Sequence, residues 1–230
     1  MKKFSVLAFC IFTFAITLYS RGQSISSNDS WKNVTLGPFF MPGASANAGS
    51  VANGTKTDAA DFSWSFGAMA DFPFSPGLGL QVGLGYDARA VGFKDQKYSD
   101  TTVGYTFNYF SIRPEFRIGD FLIGIGLGIP VGASTNASAQ ADATPQNTPQ
   151  SLGASNMNIL IEGRIGASIP VIQAENGNQL KFIVDASYAF GQITSMALVP
   201  NDNTQNKTEN SGPIATLQLG FAYLFNLNPH

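Results

Sequence analysis

Residues 110–131 read Phe110-Ser-Ile-Arg-Pro-Glu-Phe-Arg-Ile118, then Gly119-Asp120, then Phe121-Leu-Ile-Gly-Ile-Gly-Leu-Gly-Ile-Pro-Val131. In the first run the even positions Phe110, Ile112, Pro114, Phe116 and Ile118 are apolar, and the odd positions between them are Ser111, Arg113, Glu115 and Arg117. A period of two is that of a strand, whose successive side chains point to opposite faces. The second run sets Phe121, Ile123, Ile125, Leu127, Ile129 and Val131 against Gly124, Gly126 and Gly128, so the pair predicts a hairpin with a tight turn. Every charge lies on one face, and aliphatic or aromatic residues fill the other, which is how a membrane β-barrel is written.

Outward from this hairpin, eight alternating segments can be read, at about 33–42, 60–72, 77–93, 104–118, 120–131, 155–171, 179–193 and 212–225. Most reach the roughly 9–11 residues a tilted strand needs to cross a bilayer. The connections alternate in length. Residues 72–77, Gly119-Asp120 and the Asn176-Gly177 turn are short, whereas 43–59, 94–103, 132–154 and 194–211 are long and polar. In an up-and-down meander every second connection lies at the same end, so the long loops gather on one side and the short turns on the other. The expected fold is all-β, an eight-stranded antiparallel up-and-down transmembrane β-barrel.

Alternation does not by itself say which face points inward, and a soluble lipid-binding barrel would be the mirror image. The polar face carries Asp87, Arg89, Arg113, Glu115, Arg117, Glu162, Arg164, Lys181 and Asp185, with nearly balanced signs. The apolar faces, such as Leu78 to Tyr86 and Leu217 to Phe225, hold no charge. A basic residue facing lipid at the midplane costs about 2–4 kcal/mol. Five misplaced basic residues would cost roughly 10 kcal/mol, comparable with the stability of a domain. Given a bilayer, these nine residues are expected inside as an ion-pair network that plugs the lumen. Gly124, Gly126 and Gly128 are expected to leave room for Arg113 and Arg117. Aromatic girdles are expected from Phe62, Trp64, Phe66, Tyr105, Phe107, Tyr188 and Phe190 beside the long loops, and from Phe72, Phe116, Phe121, Phe182, Tyr223 and Phe225 at the other end. Pro114, which donates no ladder hydrogen bond, is expected to sit at a bulge.

Lys2 and Lys3, the apolar run Phe4 to Leu18 and small residues before Gln23 read as a secretory signal peptide over 1–22, leaving 23–230 as one barrel domain. Cleavage there removes the only cysteine, Cys10, and three basic residues with no acid, so the formal charge moves from −2 to −5. That balance argues against nucleic acid as a partner. Charged residues make up 12% of the chain, about half the share usual in soluble proteins, so something other than water is expected to cover much of the surface.

The only histidine is the last residue, His230, which removes histidine-based triads and zinc sites. Glu115 and Glu162 each have arginines two positions away on their own segments, which favours ion pairing over acid–base catalysis. The Gly124–Gly128 run lacks the following helix that a nucleotide loop needs. No enzyme activity, metal or cofactor is expected.

With the segments in place, the chain resembles the PorT-like family of bacterial outer-membrane β-barrel proteins. The likeness is sharpest at Tyr109 to Ile118, an aromatic followed by a proline-containing strand, and at the glycine-rich return Gly124 to Gly132. It implies a bacterial outer-membrane location, and a few family members are linked to protein secretion. Leu217, Leu219, Phe221, Tyr223 and Phe225 look like the terminal signal read by the barrel-assembly machinery, here followed by Asn226-Leu-Asn-Pro-His230. The expected role is structural or interactive, through long extracellular loops. Expected partners are outer-membrane lipid, the assembly machinery and envelope or secretion proteins. The alternatives are a transport-related barrel (a narrow channel or a secretion accessory) and a soluble periplasmic lipid-binding barrel.

Overall fold

The computed structural model describes residues 34–48, 55–57, 60–95, 102–138, 152–194 and 213–227. Residues 1–22, expected to be a signal peptide, and His230 lie outside these. Eight long strands are present: β1 (Thr35–Asn47), β2 (Asp61–Ser75), β3 (Leu78–Asp95), β4 (Thr102–Ile118), β5 (Phe121–Ser138), β6 (Leu160–Gln173), β7 (Gln179–Phe190) and β8 (Ile214–Asn226). Each pairs antiparallel with its neighbours in sequence, and β1 pairs with β8, so the meander closes into a barrel. Closure leaves no open edge along the wall.

The barrel is inverted relative to a soluble one. Ile125 and Ile165 are each 62% exposed on the outer face, while Arg89 and Arg113 are buried at 0% and 1%. The side chains of Leu219, Phe221, Tyr223 and Phe225 also point outward.

At the short-turn end, Pro76-Gly77 and Gly119-Asp120 are two-residue turns with Gly77 and Gly119 at φ 78° and 62°, the left-handed region that glycine enters freely. The first connection is thus shorter than 72–77, because Phe72 to Ser75 remain in β2. The turn at Asn176-Gly177 is locked to the end of β8. Asn226 donates its backbone N–H to Asn178 Oδ1 at 2.9 Å and its side-chain N–H to Asn176 O at 3.1 Å.

At the long-loop end the strands outrun the sequence reading. β3, β4 and β5 are 17–18 residues long, and Leu152–Gly153 pairs with β5 at Gly132 and Ala133, residues expected to begin a loop. Small Gly, Ala, Ser and Thr side chains give no alternation to read there, yet their backbones pair. The loop-root segments meet through a bridge between Met157 and Thr194.

The prolines behave in two ways, and the bulge expected at Pro114 is not there. Pro114 stays in register with Val82 of β3, while the β4–β5 ladder skips Arg113 and Pro114 and resumes unshifted at Glu115 and Gly124. Pro38 and Pro42 do the same: the ladder to β2 is continuous, and the ladder to β8 skips each proline with its preceding residue. Proline has no N–H to donate, so pairing is lost on one side only. The bulges lie beside other prolines, where Phe74, Val131 and Val171 are the extra residues next to Pro73, Pro130 and Pro170. All three extra residues point outward into exposed positions.

Glycine permits the close approach of β1 and β8. A Cβ on Gly220 would lie 2.1 Å from Phe40 O and 2.6 Å from Met41 Cα. Gly220→Ala should therefore destabilise the barrel by roughly 1–3 kcal/mol through overpacking against backbone that has no room to yield. Gly77→Ala meets no neighbour and carries only the left-handed backbone cost of about 1–2 kcal/mol. Urea-unfolding midpoints should place Gly220→Ala below Gly77→Ala, and the reverse order would mean that the seam is loosely packed.

Candidate functional site: the charged interior

The inward positions of β3, β4, β6 and β7 bring seven charged residues together through a chain of contacts. Arg113 pairs with Asp87. Asp87 also meets Arg89 at 3.1 Å, and Arg89 crosses the lumen to Glu162, with Nη2 donating to Oε1 at 2.9 Å. Glu162 Oε2 lies 2.7 Å from Arg89 Nη1, an ion-pair distance without hydrogen-bond geometry. Arg164 is the hub: it meets Glu162 on its own strand, Asp185 on β7 and, at 3.2 Å through Nε, Glu115 on β4. Arg89 Nη1 also donates to Ser187 at 3.2 Å and Thr216 at 3.1 Å, so one guanidinium ties β3 to β6, β7 and β8.

Arg117 and Lys181 form a second cluster nearer the short turns, and its carboxylate is Asp71. Arg117 Nε donates to Asp71 Oδ1 at 3.2 Å, and Lys181 pairs with Asp71 Oδ2 across the lumen. Asp71 was missed in the sequence although the signal was available. It follows Ser63, Ser65, Gly67 and Met69 on the odd face of its segment, opposite Phe62, Trp64 and Phe66.

Two expectations change in detail. Arg113 pairs with Asp87 of β3 rather than with Glu115 two positions along its own strand, its side chain running over Gly83 of β3 while Glu115 is taken by Arg164. The glycines of β5 make room for the acids and an aromatic rather than for arginines. A Cβ on Gly124 would strike Pro114 O and Glu115 Cα, one on Gly126 would strike the Glu162 carboxyl, and one on Gly128 would crowd Tyr109 and Leu160. Arg113 lies instead over Gly83, with its guanidinium 5.2 Å from the centroid of the Phe39 ring.

The outer part of the lumen is apolar, which the sequence reading did not anticipate. Tyr105 and Phe107, expected in a girdle, are buried inside with Tyr109, since all three share the odd face of β4 with Arg113. They pack with Val91, Leu160, Ala189 and Ile214, and with Met157 and Ile193 from the joined loop roots. Trp64, Phe66 and Tyr86 remain clustered on the outer face, with ring centroids 5.6–6.0 Å apart.

Asp120 lies outside the strands, in the turn between β4 and β5. Partial burial raises its carboxyl pKa, against the opposing pull of Lys181 and Arg117. Its carbonyl accepts a hydrogen bond from Ser168 N at 2.7 Å, so the turn is fixed to β6.

No protein-family model and no curated protein matches the chain. Among solved structures it is similar to Ail, the attachment invasion locus protein of Yersinia pestis, crystallised with the heparin analogue sucrose octasulfate. That match has 14% identity and a TM-score of 0.38, and covers 84% of this chain and 99% of that one. The outer membrane protein AlkL, solved in lipid bilayers, is 12% identical with a TM-score of 0.38, covering 90% of this chain and 96% of that one. The outer membrane protease OmpT from Escherichia coli is 12% identical with a TM-score of 0.32, covering 84% and 95%.

Arg164→Met should leave three buried carboxylates short of a partner and destabilise the barrel by roughly 3–5 kcal/mol. A urea midpoint within error of wild type would mean that the three acids do not depend on Arg164. Asp120 gives a pH test. Its proton is held more tightly in the folded state, so ionisation penalises folding as the pH rises above the unfolded value of about 3.9, and the penalty is complete above the folded value. Asp120→Asn should therefore raise the urea midpoint at neutral pH, and the advantage should vanish below about pH 4. A constant difference at every pH would mean that the carboxylate's charge is not the cause.

Proposed function

We propose that the chain is a small outer-membrane β-barrel protein with a filled, non-conducting interior, acting as a structural or interaction element through the long loops at one end. The observation that carries this reading is the two-part lumen. Charged side chains bridge the wall in its lower and middle parts, and Tyr105, Phe107, Tyr109, Met157 and Ile193 pack together above them. Lipid is the environment that fits an outer face of exposed Ile, Leu and Phe over a charged interior. The soluble barrel, which needs the apolar face inside, is disfavoured by the same arrangement.

The outward ladder Leu219, Phe221, Tyr223 and Phe225 suits recognition by the barrel-assembly machinery, with the Asn178–Asn226 clamp fixing the strand end beyond it. The PorT-like resemblance adds envelope or secretion proteins as the class of partner for the loops. The paired acids are consumed by arginines, which supports a non-catalytic role.

Purified protein in planar bilayers should show no steady conductance, and the membrane-fraction band should migrate faster in SDS before boiling than after. Reproducible single-channel steps would replace this reading with that of a narrow channel. A soluble protein with no heat shift would remove the membrane setting.

A further inference from the structure

Seven of the eight seams in the wall join strands that follow one another in the chain, and the eighth, β1 against β8, closes the barrel with no connection of its own. It alone omits rungs at two places. Its ladder pairs Thr35 with Asn226 and Leu36 with Phe225, omits Gly37 and Pro38, resumes at Phe39–Ala222 and Phe40–Phe221, omits Met41 and Pro42, and continues from Gly43–Gln218. The β1–β2 and β7–β8 ladders on either side are unbroken. Proline has no N–H to donate, so these two prolines take bonds from the seam and leave β1 paired with β2. Beyond the strands both ends are pinned, with Leu227 N donating to Val34 O at 3.0 Å and Ala48 N to Pro213 O at 2.7 Å. The weak stretch is therefore the middle, residues 37–42 against 219–224.

Neither β1 nor β8 carries a charged residue, so the charge network bears on this joint only by reaching over it. Among the ion pairs of the described residues, Lys181–Asp71 is the one whose shorter way round the wall, from β7 over β8 and β1 to β2, crosses the seam. It starts at the weak stretch, because Lys181 is level with Ala222 and Phe39, on a rung left between the two gaps. Asp71 is oriented from the other side. Arg117 of β4 donates from Nε to Asp71 Oδ1 at 3.2 Å, which leaves Oδ2 for Lys181. The other interior links over the seam end on neutral groups. Ser65 Oγ donates to Gln218 Oε1 at 3.1 Å, Arg89 Nη1 donates to Thr216 Oγ1 at 3.1 Å, and an apolar cluster joins Phe39 and Met41 to Ala222 and Leu224. A buried ammonium and carboxylate drawn apart are each left uncompensated, so this pair favours the closed wall more strongly than those links do.

We propose that the β1–β8 seam is the joint at which this barrel opens first and closes last, and that Lys181 and Asp71 are the latch that holds it shut. On closure, β8 arrives with the Asn178–Asn226 clamp at its end and with Lys181 on its neighbour β7, and Lys181 meets a carboxylate already positioned by Arg117. On opening, parting β1 from β8 separates the two charges while the seven other seams stay paired. The inference goes beyond the proposed function and requires only the closed barrel.

The test bridges one seam at a time in the full-length chain, whose only native cysteine, Cys10, lies in the expected signal peptide. Phe40→Cys with Phe221→Cys places two outward cysteines in register across β1 and β8, and Ile123→Cys with Ile165→Cys does the same across the uninterrupted β5–β6 ladder. Each folded barrel is oxidised with copper phenanthroline in detergent micelles, and its unfolding in urea is followed by the SDS mobility shift. The 40–221 bridge should slow unfolding at least about tenfold more than the 123–165 bridge, equivalent to roughly 1.4 kcal/mol of barrier. Equal slowing by the two bridges overturns the seam as the first joint to open. Lys181→Gln should speed unfolding while the 40–221 cysteines are reduced and lose that effect once they are bridged, because a locked seam needs no latch. The same acceleration in both states overturns the latch and assigns Lys181 a general packing role. Should Lys181→Gln fail to fold, Lys181→Arg enters the same reduced-against-bridged comparison and is read in the same way.

Discussion

A guanidinium or carboxylate taken out of water is tolerated only beside an opposite charge with its hydrogen bonds largely met, and the interior of this barrel is arranged around that requirement. Arg164 shows it most directly. It has no water-facing route and touches Glu115, Glu162 and Asp185, residues on β4, β6 and β7. Arg89 and Lys181 span the lumen in the same way. Such contacts fix register across strands that are not neighbours in the wall. Register in each hairpin is already set by its turn, but β1 and β8 are joined by no turn, and their alignment depends on what the interior allows. A slip by one residue in a strand would turn that strand's inward set outward, Asp87 and Arg89 together in the case of β3.

The same constraint explains where small residues and prolines occur. A lumen of eight strands is barely wide enough for its own side chains. Long arginines and glutamates therefore need glycine opposite, as Glu162 has in Gly126. Closed walls also require nearly every backbone N–H to pair, so a proline must either face its missing donor toward a locally skipped rung, as Pro38, Pro42 and Pro114 do, or stand beside a bulge, as Pro73, Pro130 and Pro170 do. Three skipped rungs and three bulges are spread around the wall, so none of them opens it.

Much of this was legible because alternation over Phe110 to Ile118 puts all charge on one face, which in a bilayer has to be the inner one. Parity carries that reading through the chain and places every charged residue of the interior, Asp71 included. Parity also places Tyr105 and Phe107, which share the odd face of Arg113, in the lumen; their position near a segment end, where a girdle is expected, pointed the other way. Partner choice was hidden. Arg113 meets Asp87 and Glu115 meets Arg164 because of strand stagger, which depends on turn lengths and bulges that no single segment encodes. The expected bulge at Pro114 failed for a related reason, since proline's cost falls on one neighbour, and a skipped rung meets it without inserting a residue.

The division of the lumen into charged and apolar parts bears on what kind of molecule this is. A pore would need its inward arginines spaced around open water, whereas here each meets carboxylates from one or more strands, and the space above them is occupied by aromatic rings. Met157 and Ile193 complete that upper cluster, and they come from the loop roots, held together by the Met157–Thr194 bridge and by Asn158 N donating to Ile193 O at 2.7 Å. The loop bases are thus anchored in the core of the barrel rather than resting on its rim. In the proposed role this anchoring gives the loops beyond them a rigid base, so that recognition at the outer end can vary with loop sequence while the charged interior below stays fixed.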